Sequence, residues 1–218
     1  MNSDTPLVLA GISRAGQRFL RNNRTAMIAA ILLACIAVPC LLAPLVAPYD
    51  PSAQPDIVRL QNIAPSLAHP MGTDPYSRDV LSRLLYGGRL SLAVAVFATL
   101  VSVTLGTAYG AIAGFTEGFA ASAMERLLDA LLSIPRLLLL IAIFAAWRNM
   151  PLAGFIVMLG ITGWYGLARL VRGQVLALKA HDFVASATAL GATRGRILVK
   201  HILPNVVTPV VVAATLGI

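Results

Sequence analysis

Between Leu90 and Ala113 the chain reads LSLAVAVFATLVSVTLGTAYGAIA, twenty-four residues without one charge. A helix rises about 1.5 Å per residue, so about 20 such residues cross the hydrocarbon of a bilayer. The stretch carries Gly106 and Gly110, four apart. That small-xxx-small spacing permits close packing against a second helix, although it also arises by chance.

Working outward, four further apolar runs have the same character. Ala26–Ala47 is free of charge and is preceded by Arg14, Arg18, Arg21 and Arg24. It is too long for a signal-peptide core and reads as an uncleaved first span. Leu127–Trp147 is interrupted by Asp129, Pro135 and Arg136, so it is expected to start at the interface and enter lipid after Pro135. Leu152–Ala168 is shorter and bears Gly154, Gly160, Gly163 and Gly166. The run from Pro204 to Ile218 has no closing basic or aromatic anchor, and an incomplete fifth span is expected there.

Composition agrees. Of 218 residues, 58% are apolar and 12% charged, and mean hydropathy is +0.80. A soluble domain carries about twice that charge. A soluble enzyme, a nucleic-acid-binding domain and a disordered chain are therefore excluded in favour of an all-α, polytopic membrane bundle.

The net charge of +8 belongs to topology rather than to a nucleic-acid partner. With the N-terminus inside, the inner segments hold the four N-terminal arginines, Arg126, Arg136, Arg169, Arg172, Lys179, Arg194, Arg196 and Lys200. The outer ones hold Arg59, Arg78, Arg83, Arg89 and Arg148. Twelve against five is the bias of the positive-inside rule. The expected layout is a cytoplasmic segment 1–25, a first span 26–47, an extracytoplasmic segment 48–89, and a core 90–218 with a cytoplasmic loop 169–203. Cys35 and Cys40 point to different faces of one helix, so no disulfide is expected between them. His69, His181 and His201 are scattered, and no metal site is expected.

Two polar segments carry information. The first is MGTDPYSRDVLSRLLYGGRLSL, Met71–Leu92. Thr73 or Asp74 can cap a helix that starts at Pro75, with Asp74–Arg78 and Asp79–Arg83 as ion pairs four apart. Gly72, Thr73, Asp74, Arg78, Asp79 and Arg83 form the motif, a brace or lid at the outer interface or a direct substrate contact. The second is HDFVASATALGATRGRILVKHILPN, His181–Asn205. Asp182 can cap a helix, Phe183, Ala187 and Leu190 recur at helical spacing, and Gly191 ends it. A second helical stretch, Thr193–Leu203, turns Arg194, Arg196 and Lys200 outward and ends at Pro204. Such a loop is either ordinary interfacial chain or a helix shaped to dock in a partner's groove.

These residues resemble the inner-membrane permease subunits of bacterial ABC importers, in the dipeptide, oligopeptide and nickel branch. The resemblance rests on YDPSAQ (49–54), the 69–92 segment, ERLLDALLSIP (Glu125–Pro135), YGLARLVRGQVLALKAHDFV (165–184) and ALGATRGRILVKHILPN (189–205). It implies two cytoplasmic ATPase subunits, a second homologous permease chain and an extracytoplasmic solute-binding protein. It also implies that Asp182, Phe183, Val184, Ala185, Ser186, Ala187, Leu190 and Gly191 form the helix that couples to one ATPase. Peptides are the favoured cargo, with nickel chelates, opines and other small solutes as alternatives. Three departures stand out: Ala185, Ser186 and Ala187 replace the usual Glu-Ala-Ala, Ser77 replaces a glycine, and Arg136 replaces a small or apolar residue.

Neither Lys179 nor Lys200 lies in Gly-x-x-x-x-Gly-Lys, so ATP and its Mg are expected on the ATPase subunits and no cofactor on this chain. Asp129 and Arg136 are the ionisable residues within spans, and either line the passage or anchor its inner boundary. An ion-driven secondary transporter would instead place acidic residues at mid-membrane, and the first two spans have none.

Overall fold

The computed structural model describes residues 23–217. Arg14, Arg18 and Arg21, on which the inside placement of the N-terminus leans, lie outside the described residues. The described chain is helical: α1 (Arg24–Leu41), α2 (Ala43–Val46), α3 (Val80–Phe115), α4 (Gly118–Ser133), α5 (Arg136–Ala146), α6 (Leu152–Lys179), α7 (Asp182–Ala189), α8 (Arg194–Ile197), a π-helical turn (Leu198–Ile202) and α9 (Leu203–Gly217). Among the described residues four helical stretches are long and apolar enough to cross a membrane. They become five when α4 and α5, bent by 75°, count as one span. The chain divides into two units, residues 1–92 and 93–218.

In the first unit, the apolar run expected to end at Ala47 breaks at Leu42. A separate turn, α2, follows with Pro44 in its first turn, where a missing N–H costs nothing. Cys35 is exposed and Cys40 buried, both free thiols. A Cβ on Gly88 would lie 2.5 Å from the Cys40 Sγ, so the absent side chain is what admits Cys40 there.

The helix expected to start at Pro75 does not form. Asp74 and Pro75 open a turn instead: Ser77 N–H donates to the Asp74 carbonyl (3.0 Å), and the Asp74 carboxylate takes the N–H groups of Tyr76 and Arg78 (both 2.9 Å). An Asp before Pro satisfies its own backbone in this way better than in a helix. The helix starts five residues later. Asp79 caps α3 by accepting the Ser82 N–H at 2.8 Å. It then runs through Gly87 and Gly88 without a break, for 36 residues.

In the second unit α3 and α6 approach through glycines. Added Cβ atoms on Gly106, Gly110 and Gly114 would meet Trp164 and Leu167, Ala168 and Val171, and Arg172 and Val175, at 2.4 to 3.0 Å. In return, Gly160 receives Val101 (2.5 Å) and Gly163 receives Ser102 (2.6 Å). Gly106 and Gly110 therefore do have a partner helix, and the row extends to Gly114. Pro135 explains the bend between α4 and α5, because it excludes its predecessor Ile134 from helical geometry.

α6 does not stop at Ala168; it continues to Lys179. Nothing from Arg169 to Lys179 breaks a helix, and Val171 and Val175 are fully buried. The loop expected at 169–203 thus begins at Ala180. Nor does the second stretch end at Pro204. α8 passes through the π turn into α9, with Pro204 in the first turn of α9. Pro204 lacks the N–H that would bond to the Lys200 carbonyl and its ring crowds that carbonyl; the π turn, which contains Lys200, accommodates both. One apolar cluster joins these pieces: Ala111, Val171 and Val175 against Val184, Ala187, Ile197, Ile202, Val206 and Val210.

Candidate functional site

One end of the second unit is built on three ion pairs between α6 and α4 with its cap. Arg172 donates to both Glu125 oxygens, each at 2.8 Å. Lys179 donates to Glu117 at 2.8 Å, and Arg169 pairs with Asp129. The hydrogen bond from Lys179, then the charges of Lys179 and Arg194, hold the Glu117 carboxyl below its ordinary range against a small opposing effect of burial. Asp129 is thus a partner of Arg169, exposed on the α4 surface. Sequence reading missed these pairs because their members lie 40 to 62 residues apart.

On this frame sits α7. Its cap is His181, and Asp182 occupies the first helical position, where a carboxylate favours the helix dipole. Val184 and Ala187 are buried in the shared cluster, whereas Phe183 is 40% and Leu190 88% exposed. Phe183, Ala187 and Leu190 therefore do not act as one face: Ala187 anchors, and the other two project. Asp182, Ala185 and Ser186 are exposed as well. Gly191 ends the helix with φ +78°. Its N–H bonds Thr188 O, and Ala192 N–H bonds Ala187 O, both at 3.0 Å. This crossed pair is a Schellman motif, which requires the left-handed residue that glycine supplies.

In the first unit, the 71–83 motif forms a hydrogen-bonded knot. Thr73 and Asp79 pair as an isolated antiparallel bridge. The Thr73 hydroxyl donates to Leu60 O and accepts the Ile63 N–H. Gly72, at φ +73°, lies so close to the Ile63 carbonyl that a Cβ would stand 2.3 Å from it. Arg78 pairs with Asp74 as expected, but Arg83 also turns to Asp74 rather than to Asp79. Burial pushes the Asp74 carboxyl up, but the Arg78 and Tyr76 N–H groups and the two guanidinium groups outweigh it and bring it to about 2. Asp79 instead accepts from His69 Nδ1 at 3.0 Å and from the Ser82 hydroxyl at 2.8 Å. Burial opposes ionisation there too, but these donors and the Ser82 N–H hold Asp79 below its ordinary value. The arrangement is tightly held, with Thr73, Ser77, Asp79 and Ser82 all buried.

Arg136 opens α5 and lies against α6. Its Nη2 donates to Leu159 O at 3.1 Å, and it lines a cavity of about 310 Å³.

Comparison with known proteins accords with this architecture. Residues 106–218 match the binding-protein-dependent transport system inner membrane component, and residues 13–70 match the N-terminal TM domain of oligopeptide transport permease C. The chain is 37% identical over 201 residues to the dipeptide transport system permease protein DppC of Bacillus subtilis, covering 92% of this chain and 62% of that protein. It is 38% identical over 206 residues to the oligopeptide transport system permease protein OppC of Haemophilus influenzae (94% and 65%). It is 39% identical over 196 residues to the glutathione transport system permease protein GsiD of Pectobacterium atrosepticum (90% and 64%). The chain thus spans a little under two thirds of the length of these relatives. With its helices, its glycine-packed core and a match over more than half its length, the chain belongs to the binding-protein-dependent transport system inner membrane components, multi-pass permease subunits that carry no cofactor of their own.

Proposed function

We propose that the protein is the permease subunit of an ATP-driven importer for di- or oligopeptides, a class that includes glutathione, and that α7 is its mechanical input. The partners on this reading are a second homologous permease subunit, two cytoplasmic ATPase subunits and an extracytoplasmic solute-binding protein. Similarity to permeases named for dipeptide, oligopeptide and glutathione transport supports the cargo class.

The observation that carries the proposal is the division of labour on α7. Val184 and Ala187 fasten the helix to the bundle, while Phe183 and Leu190, seven residues and two turns apart, stand out as paired apolar knobs. A short helix fastened by Val184 and Ala187, with Phe183 and Leu190 exposed beside that seam, suits a groove in a partner. Its attachments run directly into α3, α6 and α9 through the shared cluster. A pull on α7 therefore moves the spanning helices as a body, the requirement for switching between inward-open and outward-open states.

Sidedness supports the same reading. The Lys179–Glu117 contact brings both ends of the segment between them to one face, so the bent α4–α5 pair counts as a single crossing. With α1, α3 and α6 that makes four crossings before α7, which agrees with a cytoplasmic α7 if the basic bias of the sequence sets the N-terminal side.

The test is Leu190→Asp in the complete importer. Expected is loss of ATP-driven peptide uptake and of ATPase subunits bound to washed membranes, with the permease still present in normal amount. Wild-type uptake and wild-type ATPase retention together would refute the docking role.

A further inference from the structure

Among the described residues Arg136 is the sole charged one lining two neighbouring cavities of the second unit. The larger, about 310 Å³, is walled by Ala95, Ala98, Val103, Leu159, Leu167 and Ala213, with the Thr99 and Ser102 hydroxyls on the same lining. The smaller, about 230 Å³, lies against Leu131, Ile134, Leu139, Thr162 and Tyr165. Arg136, Gly163 and Gly166 border both, so the guanidinium stands at their junction. Gly163 lies beside it: a Cβ there would stand 3.2 Å from Nη2.

Among the described residues the cation has no carboxylate partner. Among the described residues its hydrogen-bond partner is the Leu159 carbonyl, which carries no charge. The acids of α4 and its cap are already committed, Glu117 to Lys179, Glu125 to Arg172 and Asp129 to Arg169. Arg136 is exposed, so its unfilled fork of donors is open to an incoming anion, and an ionisable residue within a span is a functional candidate. Its planar donors suit a carboxylate, which accepts two parallel hydrogen bonds.

We infer that Arg136 receives a carboxylate of the transported solute, making this junction a specificity site for a free peptide C-terminus or an equivalent acid. The inference rests on the importer reading above and adds to it the chemical group recognised inside the membrane.

The test uses the complete importer in proteoliposomes, with alanyl-alanine and its C-terminal amide as probes at saturated binding protein. The same binding protein serves every variant, so its own selectivity cancels from the comparison. Arg136→Gln is expected to lower the acid-to-amide uptake ratio about tenfold, equivalent to about 1.4 kcal/mol, and Arg136→Lys to restore part of it. An unchanged ratio overturns the inference. So does an equal loss for both probes, which would mark Arg136 as a strut between α5 and α6 or as a lipid-phosphate contact. No ATP-driven uptake of either probe by the wild type would sink the importer reading, and this inference with it.

A second measurement is independent of the binding protein. In a Cys35→Ala background, Thr99→Cys is labelled with sulfonate-bearing and trimethylammonium-bearing methanethiosulfonates. The sulfonate-to-ammonium rate ratio is expected to fall about tenfold on Arg136→Gln, a change of the same size. A ratio that does not move overturns the inference.

Discussion

Gly110 lies so close to Ala168 that a Cβ on the glycine would stand 2.4 Å from the alanine's carbonyl oxygen. The obstacle is backbone, which cannot rotate away, and Val171 closes the other side at 2.8 Å. Gly110→Ala must therefore push α3 off α6, and overpacking of this kind costs about 1–3 kcal/mol. Gly173 on α6 has open space where its Cβ would go, so Gly173→Ala is expected to be neutral or to stabilise by up to about 1 kcal/mol. Melting of the detergent-solubilised protein should separate the two. Equal Tm values for both variants would contradict the packing described.

Ser77 occupies a left-handed conformation, φ +62°, and is 1% exposed. Its hydroxyl has no hydrogen-bond partner among the described residues. Both features cost energy, and glycine removes both while adding some chain entropy to the unfolded state. Ser77→Gly is expected to stabilise the 60–80 knot by about 1 kcal/mol. The readout is slower amide hydrogen exchange at Asn62 and Thr73, whose N–H groups cross the knot. Faster exchange would show that the serine is held for another reason.

The lowered carboxyl of Asp74 makes the same knot sensitive to acid. Its folded value, about 2, lies below the ordinary 3.8, so its stabilisation is complete above about pH 4 to 5 and is lost as pH falls toward 2. Arg78 and Arg83 are the cations released on protonation. Protection of the Tyr76 and Arg78 amides against exchange should exceed that of Asp74→Asn at pH 6, with the gap narrowing as pH falls and closing only below about pH 2. A gap as wide at about pH 1.5 as at pH 6 would mean that charge is not what holds these donors.

The residues show why some of this was readable in the chain and some was not. The spans were legible because an uncharged run such as Leu90–Ala113 has no other stable environment. Gly191 was legible too, since a glycine after a short apolar-and-small helix is a local signal. Local rules failed where two of them competed. Asp74-Pro75 could open a helix or a turn, and only the neighbouring Leu60, Ile63 and His69 decide for the turn. Likewise the charges of Arg169 and Arg172 suggested the end of a helix, until α4 brought carboxylates to them.

The sequence by itself determined that this chain lives in a membrane, where its apolar helices lie, and that a small helix interrupts them near residue 190. Those properties follow from composition and short-range periodicity, which act on each segment alone. The tertiary structure alone decided which glycines became contacts, which carboxylates were taken by α6, and that Arg136 was left facing a cavity without one. Those outcomes depend on pairings across tens of residues, where close packing and low dielectric reward only the geometry the whole bundle can supply.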